Sequence, residues 1–176
     1  MKKIVQKNEE VLRKDTKEIP IHEIKTPKIQ KILKEMSYAL LSQNDGVAIA
    51  APQIGYSLKI FVVSGKIFDK DFLRGQGLPK EKKEIPKDLV FINPKISKLS
   101  REKDWVPEGC LSVRWLYGQT HRSKKATVTA YDENGKKFTR GASGLLAQIF
   151  QHETDHLKGI LFIDHAIDIK EEKPNK

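Results

Sequence analysis

The sequence predicts an α+β fold in a single domain spanning 1–176. Three observations predict it. Short runs of β-branched and aromatic residues recur through the middle of the chain, at 58–63, 89–92 and 126–132. Two stretches, 29–40 and 145–157, instead carry apolar residues at helical spacing. The strands are followed by a late helix rather than alternating strictly with helices, which favours α+β over a parallel α/β sheet.

Residues 1–25 are mixed and polar and read as an N-terminal arm with little regular structure, its first ten residues flexible. Thr26-Pro27 starts a helix, with Thr26 as N-cap and Pro27 at the first helical position. Ile29, Ile32, Leu33, Met36 and Leu40 give this N-terminal helix an apolar face. Asn44-Asp45-Gly46 ends it. Residues 46–55 are small, apolar and glycine-punctuated, with Gln53 as their one polar side chain. Small residues of this kind suit either a tight strand under a helix or a backbone approached closely by a ligand.

Leu58 to Val63 reads as a strand, and 64–88, rich in charge, Gly and Pro, as a surface loop. Leu89 to Ile92 reads as a short strand stopped by Asn93-Pro94, with 95–100 as its hairpin partner. Ala126 to Asp132 alternates as a strand, Asn134-Gly135 marks a hairpin turn, and 136–140 returns. Ser143 can cap the late helix, and Gly159 can end it. Ile160 to Ile163 is a last apolar segment, and 168–176 reads as a flexible polar tail.

Composition excludes several classes. No run of apolar residues is long enough for a membrane span, and the N-terminus becomes charged before any signal-peptide core forms, so the expected compartment is the cytoplasm. One cysteine, Cys110, rules out an internal disulfide. Lys plus Arg exceed Asp plus Glu, 33 to 23, for a net charge of +10. Such a charge favours polyanionic partners. The lysines are scattered and aromatics are few, so there is no stacking platform and no specific nucleic-acid site.

The densest chemical signal is Gln151-His152-Glu153-Thr154-Asp155-His156-Leu157-Lys158-Gly159. Two histidines four apart share one helix face, so His152 and His156 can grip a single cation, with Glu153 beside it. The plainer reading, two histidines hydrogen-bonded to neighbours, leaves a polar pair beside apolar Leu145 and Ile149 without a shared partner. A catalytic site of this type needs a third protein ligand and an open position. Downstream, Gly159 is followed by Ile160, Leu161 and Phe162, and Glu171 and Glu172 lie in the tail, which argues against a zincin-type peptidase. Upstream, Cys110 stands in the turn-like Glu108-Gly109-Cys110-Leu111-Ser112, and a thiolate is a good soft ligand.

Gly46 to Gln53, Glu108 to Ser112 and Gln151 to Gly159 together, in that order, resemble the three motifs of the peptide deformylases. The resemblance runs from about Val11 to about Ile163. It implies antiparallel strands packed around the helix that carries His152-Glu153-x-x-His156. It implies hydrolysis of the formyl group from N-formylmethionine on nascent proteins, with release of formate. Cys110, His152 and His156 would hold Fe²⁺, with Zn²⁺, Ni²⁺ or Co²⁺ able to substitute. Metal-bound water would attack the formyl carbon, with Glu153 as general base and acid. Gln53 and the Leu111 N–H would stabilise the oxyanion. Gly46, Val47, Ala48 and Gly109 would face the peptide, and Val47, Leu145 and Ile149 would face the methionine side chain. Glu108 and Arg122 would act behind the ligands or form a surface ion pair.

The chain departs from the usual pattern at Ala48, at Arg114-Trp115, at Thr120 and at Gln148, which bears on substrate preference and rate rather than reaction type. The short tail leaves no long C-terminal helix for ribosome docking, so ribosome contact is expected to be transient. A ribosome- or RNA-binding module on an inactive deformylase fold is the reading from another class. The intact Gln53, Cys110, His152, Glu153 and His156 argue against it.

Overall fold

Thr26 precedes helix α1 (Pro27–Leu41), but its hydroxyl donates to the Glu23 carbonyl at 2.7 Å and makes no cap bond. Pro27 in the first turn costs nothing, because an N–H there has no helical partner. Ile29, Ile32, Leu33, Met36, Ala39 and Leu40 bury one face of α1 against Ile49, Ile54, Ile60 and Ile92. A computed structural model gives this arrangement and describes residues 2–69, 72 and 86–173. They form one α+β domain with two helices and antiparallel sheets.

The first sheet has five strands: β1 (Ala48–Ala50), β2 (Ile60–Val63), β3 (Leu89–Leu99), β6 (Lys125–Tyr131) and β7 (Lys137–Ser143), in spatial order β1-β2-β3-β6-β7. The second has three: β4 (Lys103–Gly109), β5 (Leu116–Ser123) and β8 (Ile167–Glu171), in spatial order β4-β5-β8. Every ladder is antiparallel. Helix α2 (Gly144–His156) packs on the first sheet, where Phe150 meets Phe61 and Phe91 with ring centroids 6.2 and 5.2 Å apart. Ser143 occupies the N-cap position of α2 without a side-chain cap bond. Gly159 follows the helix at φ +72°, and a Cβ there would lie 2.6 Å from the Arg13 backbone, so both torsion and packing require glycine.

Several expectations are corrected. Asn93-Pro94 does not stop a strand; β3 runs through it, and 95–99 continues the same strand rather than forming a hairpin partner. Asn93 adopts φ +49° at an irregularity in the ladder. Its side chain takes the place of a ladder partner, accepting from Ile19 N at 2.8 Å and donating to Ile19 O at 2.7 Å. The polar tail is a strand to Glu171, because β8 pairs through its backbone with β5 while its side chains stay exposed. Within the first ten residues, Val5 N donates to Gln53 O at 2.9 Å, and Gln6 Nε2 to Leu111 O at 3.1 Å. The start of the expected 64–88 loop is a 3₁₀ turn, Gly65–Phe68, with Gly65, Lys66 and Ile67 buried. Of that stretch, 70, 71 and 73–85 lie outside the described residues.

Candidate active site

Three elements converge on one cleft of about 320 Å³. The first wall is Gly46, Val47 and Ala48, entering β1, with Gln53 on the 3₁₀ turn Ala51–Ile54 behind them. The second runs from the end of β4 through Gly109, Cys110 and Leu111 to Trp115 and Tyr117. The floor is α2, through Leu145, Gln148, Ile149, His152 and Glu153. All the residues predicted for catalysis or substrate contact therefore line one space. His156 lies beneath it, 1% exposed.

The two helix histidines come together as the four-residue step requires, with ring centroids 4.9 Å apart. Cys110 arrives from the other sheet, with its Sγ 3.2 Å from His156 Nε2. The donor atoms of Cys110, His152 and His156 all lie within 4.8 Å of one another. Two donors on one tetrahedral ion keep roughly 3.5 Å between them, so a single cation can bridge this set.

The surroundings fit a cation as well. Glu108, 6% exposed, accepts from His152 Nδ1 at 2.6 Å, which leaves His152 Nε2 as the donor atom facing Cys110. Arg122 forks onto the same carboxylate, Nη2 to Oε1 at 2.6 Å and Nε to Oε2 at 3.0 Å, and its Nη1 reaches Asp155 at 2.7 Å. The pair at Glu108 and Arg122 is thus buried, not a surface ion pair. Burial alone would raise the Glu108 carboxyl; hydrogen bonds from His152 and Arg122 outweigh it and hold the group well below the usual carboxylate range. Burial drives His156 well below its ordinary value, toward the neutral form a ligand needs. Burial opposes the charged form of His152, and hydrogen bonds to Cys110 and Glu108 outweigh it and raise the group well above its ordinary value.

Glu153 is 3% exposed, and its Oε2 has no hydrogen-bond partner among the described residues. Burial pushes its carboxyl up to about 7. Gln53 is held by its own backbone: Oε1 accepts from Ala50 N at 2.8 Å. Its Nε2 donates to Ser112 Oγ at 3.1 Å and makes a longer contact of 3.6 Å to Cys110 Sγ. A Cβ at Gly46 would stand 3.0 Å from the Leu40 and Gln43 side chains, tighter than ordinary contact; at Gly109 it would stand 2.7 Å from the Tyr117 ring.

Some contributors had no sequence signal that singled them out. Asp155 anchors Arg122 from within the histidine motif, and Ser112 orients Gln53. Tyr117 packs on Gly109, a contact visible only once β4 and β5 are paired. Arg114 closes one end of the cleft, bonded to Asp45 at 2.5 and 3.0 Å and to Gln43 at 3.0 Å, with its guanidinium 4.6 Å from the Trp115 ring.

Fold and site together define an α+β domain with a candidate cysteine–histidine–histidine metal centre at the junction of two antiparallel sheets. The family model described as polypeptide deformylase matches residues 1–172. The chain belongs to the peptide deformylase family, a family of enzymes. It is 40% identical over 167 residues to a peptide deformylase of Carboxydothermus hydrogenoformans, covering 95% of this chain and 94% of the relative. It is 39% identical over 156 residues to peptide deformylase 2 of Clostridium acetobutylicum, covering 89% of each. Among solved structures, it resembles a peptide deformylase of Synechococcus elongatus in complex with actinonin (TM-score 0.75, 31% identity, 94% of this chain and 78% of that one). It also resembles the class I type b peptide deformylase of Acinetobacter baumannii bound to Met-Ala-Ser (TM-score 0.77, 28% identity, 92% and 97%).

Proposed function

We propose that this protein removes the N-formyl group from N-formylmethionyl peptides and releases formate, through Cys110, His152 and His156 holding one divalent cation. The observation that carries this reading is the triad of donor atoms within 4.8 Å, next in sequence to the buried Glu153, whose Oε2 has no partner among the described residues. The cation is Fe²⁺, with Zn²⁺, Ni²⁺ or Co²⁺ able to occupy the same thiolate and imidazole donors. When bound, it supplies Lewis acidity: it acidifies water and draws electron density from the formyl oxygen.

The protein's own groups do the rest. Glu153 accepts a proton from the attacking water as the new C–O bond forms, then delivers it to the amine nitrogen as the C–N bond breaks. Burial favours the protonated form of this carboxyl, the form that hands the proton on to the amine. Ser112 takes one Gln53 N–H, and the other, at 3.6 Å from Cys110 Sγ, is the one that turns to the formyl oxygen. The Leu111 N–H supplies a second donor to the same oxygen. His152 is kept in the tautomer that offers Nε2 by its bond to Glu108.

The peptide binds as an added strand along Gly46, Val47 and Ala48, with Gly109 opposite. β1 is the end strand of its sheet, and its outer edge opens on the cleft. Val47, Leu145 and Ile149 take the methionine side chain. The A. baumannii relative bound to Met-Ala-Ser supports a peptide beginning with methionine in this cleft. The catalytic unit is the whole 1–176 domain, its strands arranged around α2. No helix among the described residues is long and apolar enough to cross a membrane. We place the enzyme in the cytoplasm, in transient contact with the ribosome through its net charge of +10.

The test is formate release from a formyl-Met tripeptide by anaerobically purified, iron-loaded protein. Stoichiometric metal without formate would remove this reading. Salt-sensitive ribosome binding without hydrolysis would favour the RNA-module reading instead.

A further inference from the structure

We infer that Thr120, seconded by Gln148, is a positioning residue for His152, acting through the Glu108 carboxylate. The inference rests on reading Cys110, His152 and His156 as a metal centre. Glu108 on β4 pairs with Gly118 on β5, and Thr120 and Arg122, two and four residues further along β5, share its face by strand alternation and reach the same carboxylate. Thr120 is fully buried, and its Oγ1 lies 2.7 Å from Glu108 Oε2. An ionised carboxylate only accepts, so the hydroxyl donates. Gln148 sits one helical turn before His152 on α2. Its Nε2 reaches the Pro107 carbonyl at 2.8 Å and Glu108 Oε2 at 3.3 Å, tying β4 to the helix that carries the ligand.

The division of labour follows from the two oxygens. Oε1 serves His152 Nδ1 and Arg122 Nη2, both at 2.6 Å; Oε2 serves Thr120, Arg122 Nε and Gln148. A carboxylate turns readily about its last torsion. Arg122 holds both oxygens through its fork and is itself anchored by Asp155, and Thr120 adds a further bond to Oε2. Thr120 is short, β-branched and stiff, so it clamps Oε2 in place. With Oε2 clamped, Oε1 stays aimed at His152, and the ring keeps its orientation toward Cys110. Neither Thr120 nor Gln148 belongs to the set of three donor residues.

The test measures metal retention, not turnover. Wild type, Thr120→Val, Thr120→Ser and Gln148→Leu are loaded with Co²⁺, whose absorption with a thiolate ligand reports occupancy. Each is then mixed with excess chelator, and the rate of loss is followed. Removing a direct partner of a ligand costs about 10- to 100-fold in metal affinity; Thr120 acts one bond further out, so Thr120→Val is expected to lose Co²⁺ about three- to tenfold faster. Thr120→Ser keeps the hydroxyl and should return to the wild-type rate, which a purely space-filling role would not predict. Gln148→Leu should accelerate loss in the same direction by less, and it decides the matter alone should Thr120→Val fail to fold. Equal rates for wild type and Thr120→Val, or Thr120→Ser as fast as Thr120→Val, would overturn the inference while leaving the metal centre intact. Failure of wild type to bind Co²⁺ would instead overturn the metal reading itself, and this inference with it.

Discussion

Replacing Glu108 by Ala should cost far more than a surface carboxylate would. Glu108 is 6% exposed and Arg122 is 8% exposed, and the arginine gives the carboxylate two of its hydrogen bonds, at 2.6 and 3.0 Å. Without Glu108, Arg122 keeps only the Nη1 bond to Asp155, and His152 Nδ1 and Thr120 Oγ1 lose their partner. Removing one member of a buried ion pair costs about 3–5 kcal/mol, because the surviving charge stays buried. For a chain of this size, that lowers the melting temperature by on the order of 10 °C. The assay is urea or thermal unfolding of metal-free protein, so that metal linkage does not enter. A Glu108→Leu/Arg122→Met double variant should recover part of the loss, since it removes the stranded cation. A loss below about 1 kcal/mol for Glu108→Ala, or no recovery in the double variant, would refute the reasoning, because surface pairs are worth no more than that.

Other outcomes follow from the same structure. Phe150→Ala empties the space beside the stacked Phe61 and Phe91 rings and should cost about 3–5 kcal/mol in urea unfolding. Cys110→Ser should lower bound metal per chain, measured by elemental analysis; unchanged content would remove Cys110 from the centre. Truncation after Ala166 removes β8 and bares the β5 edge, so a lower melting temperature and concentration-dependent association by light scattering are expected. The Asp45 carboxyl is lowered by its hydrogen bond to Arg114. Its stabilisation is therefore present above the ordinary carboxylate range, about pH 4, and lost as acid passes through the folded value. The stability gap between wild type and Arg114→Ala should narrow on acidification, and a gap that widens would reverse the sign of that argument.

The chemistry was more legible in the sequence than the topology. Ligand chemistry restricts residue type, so Cys110, His152 and His156 could be picked out before their donor atoms were seen within 4.8 Å. Helix α1 announced itself through Ile29, Ile32, Leu33, Met36 and Leu40 at helical spacing. The strands were harder. β3 passes through Asn93-Pro94 only because the Asn93 side chain bonds the Ile19 backbone, 74 residues away in sequence, and no local pattern reveals that. β8 is held by backbone pairing with side chains exposed, so its composition reads as tail. β5 hides its strand character because Thr120 and Arg122 are spent on Glu108 instead of on an apolar core. Those two residues and Gln148 looked like a departure or a surface pair in sequence; paired strands make them one buried network.

The central claim is that this cleft hydrolyses formylmethionyl peptides with Glu153 moving the proton. The most direct measurement pairs metal content with formate release for wild type and Glu153→Gln, both iron-loaded without air. The account predicts about one metal per chain in both proteins, with formate released by wild type and turnover lost in the variant by about 100-fold or more. Comparable formate release from Glu153→Gln at the same metal content would contradict it.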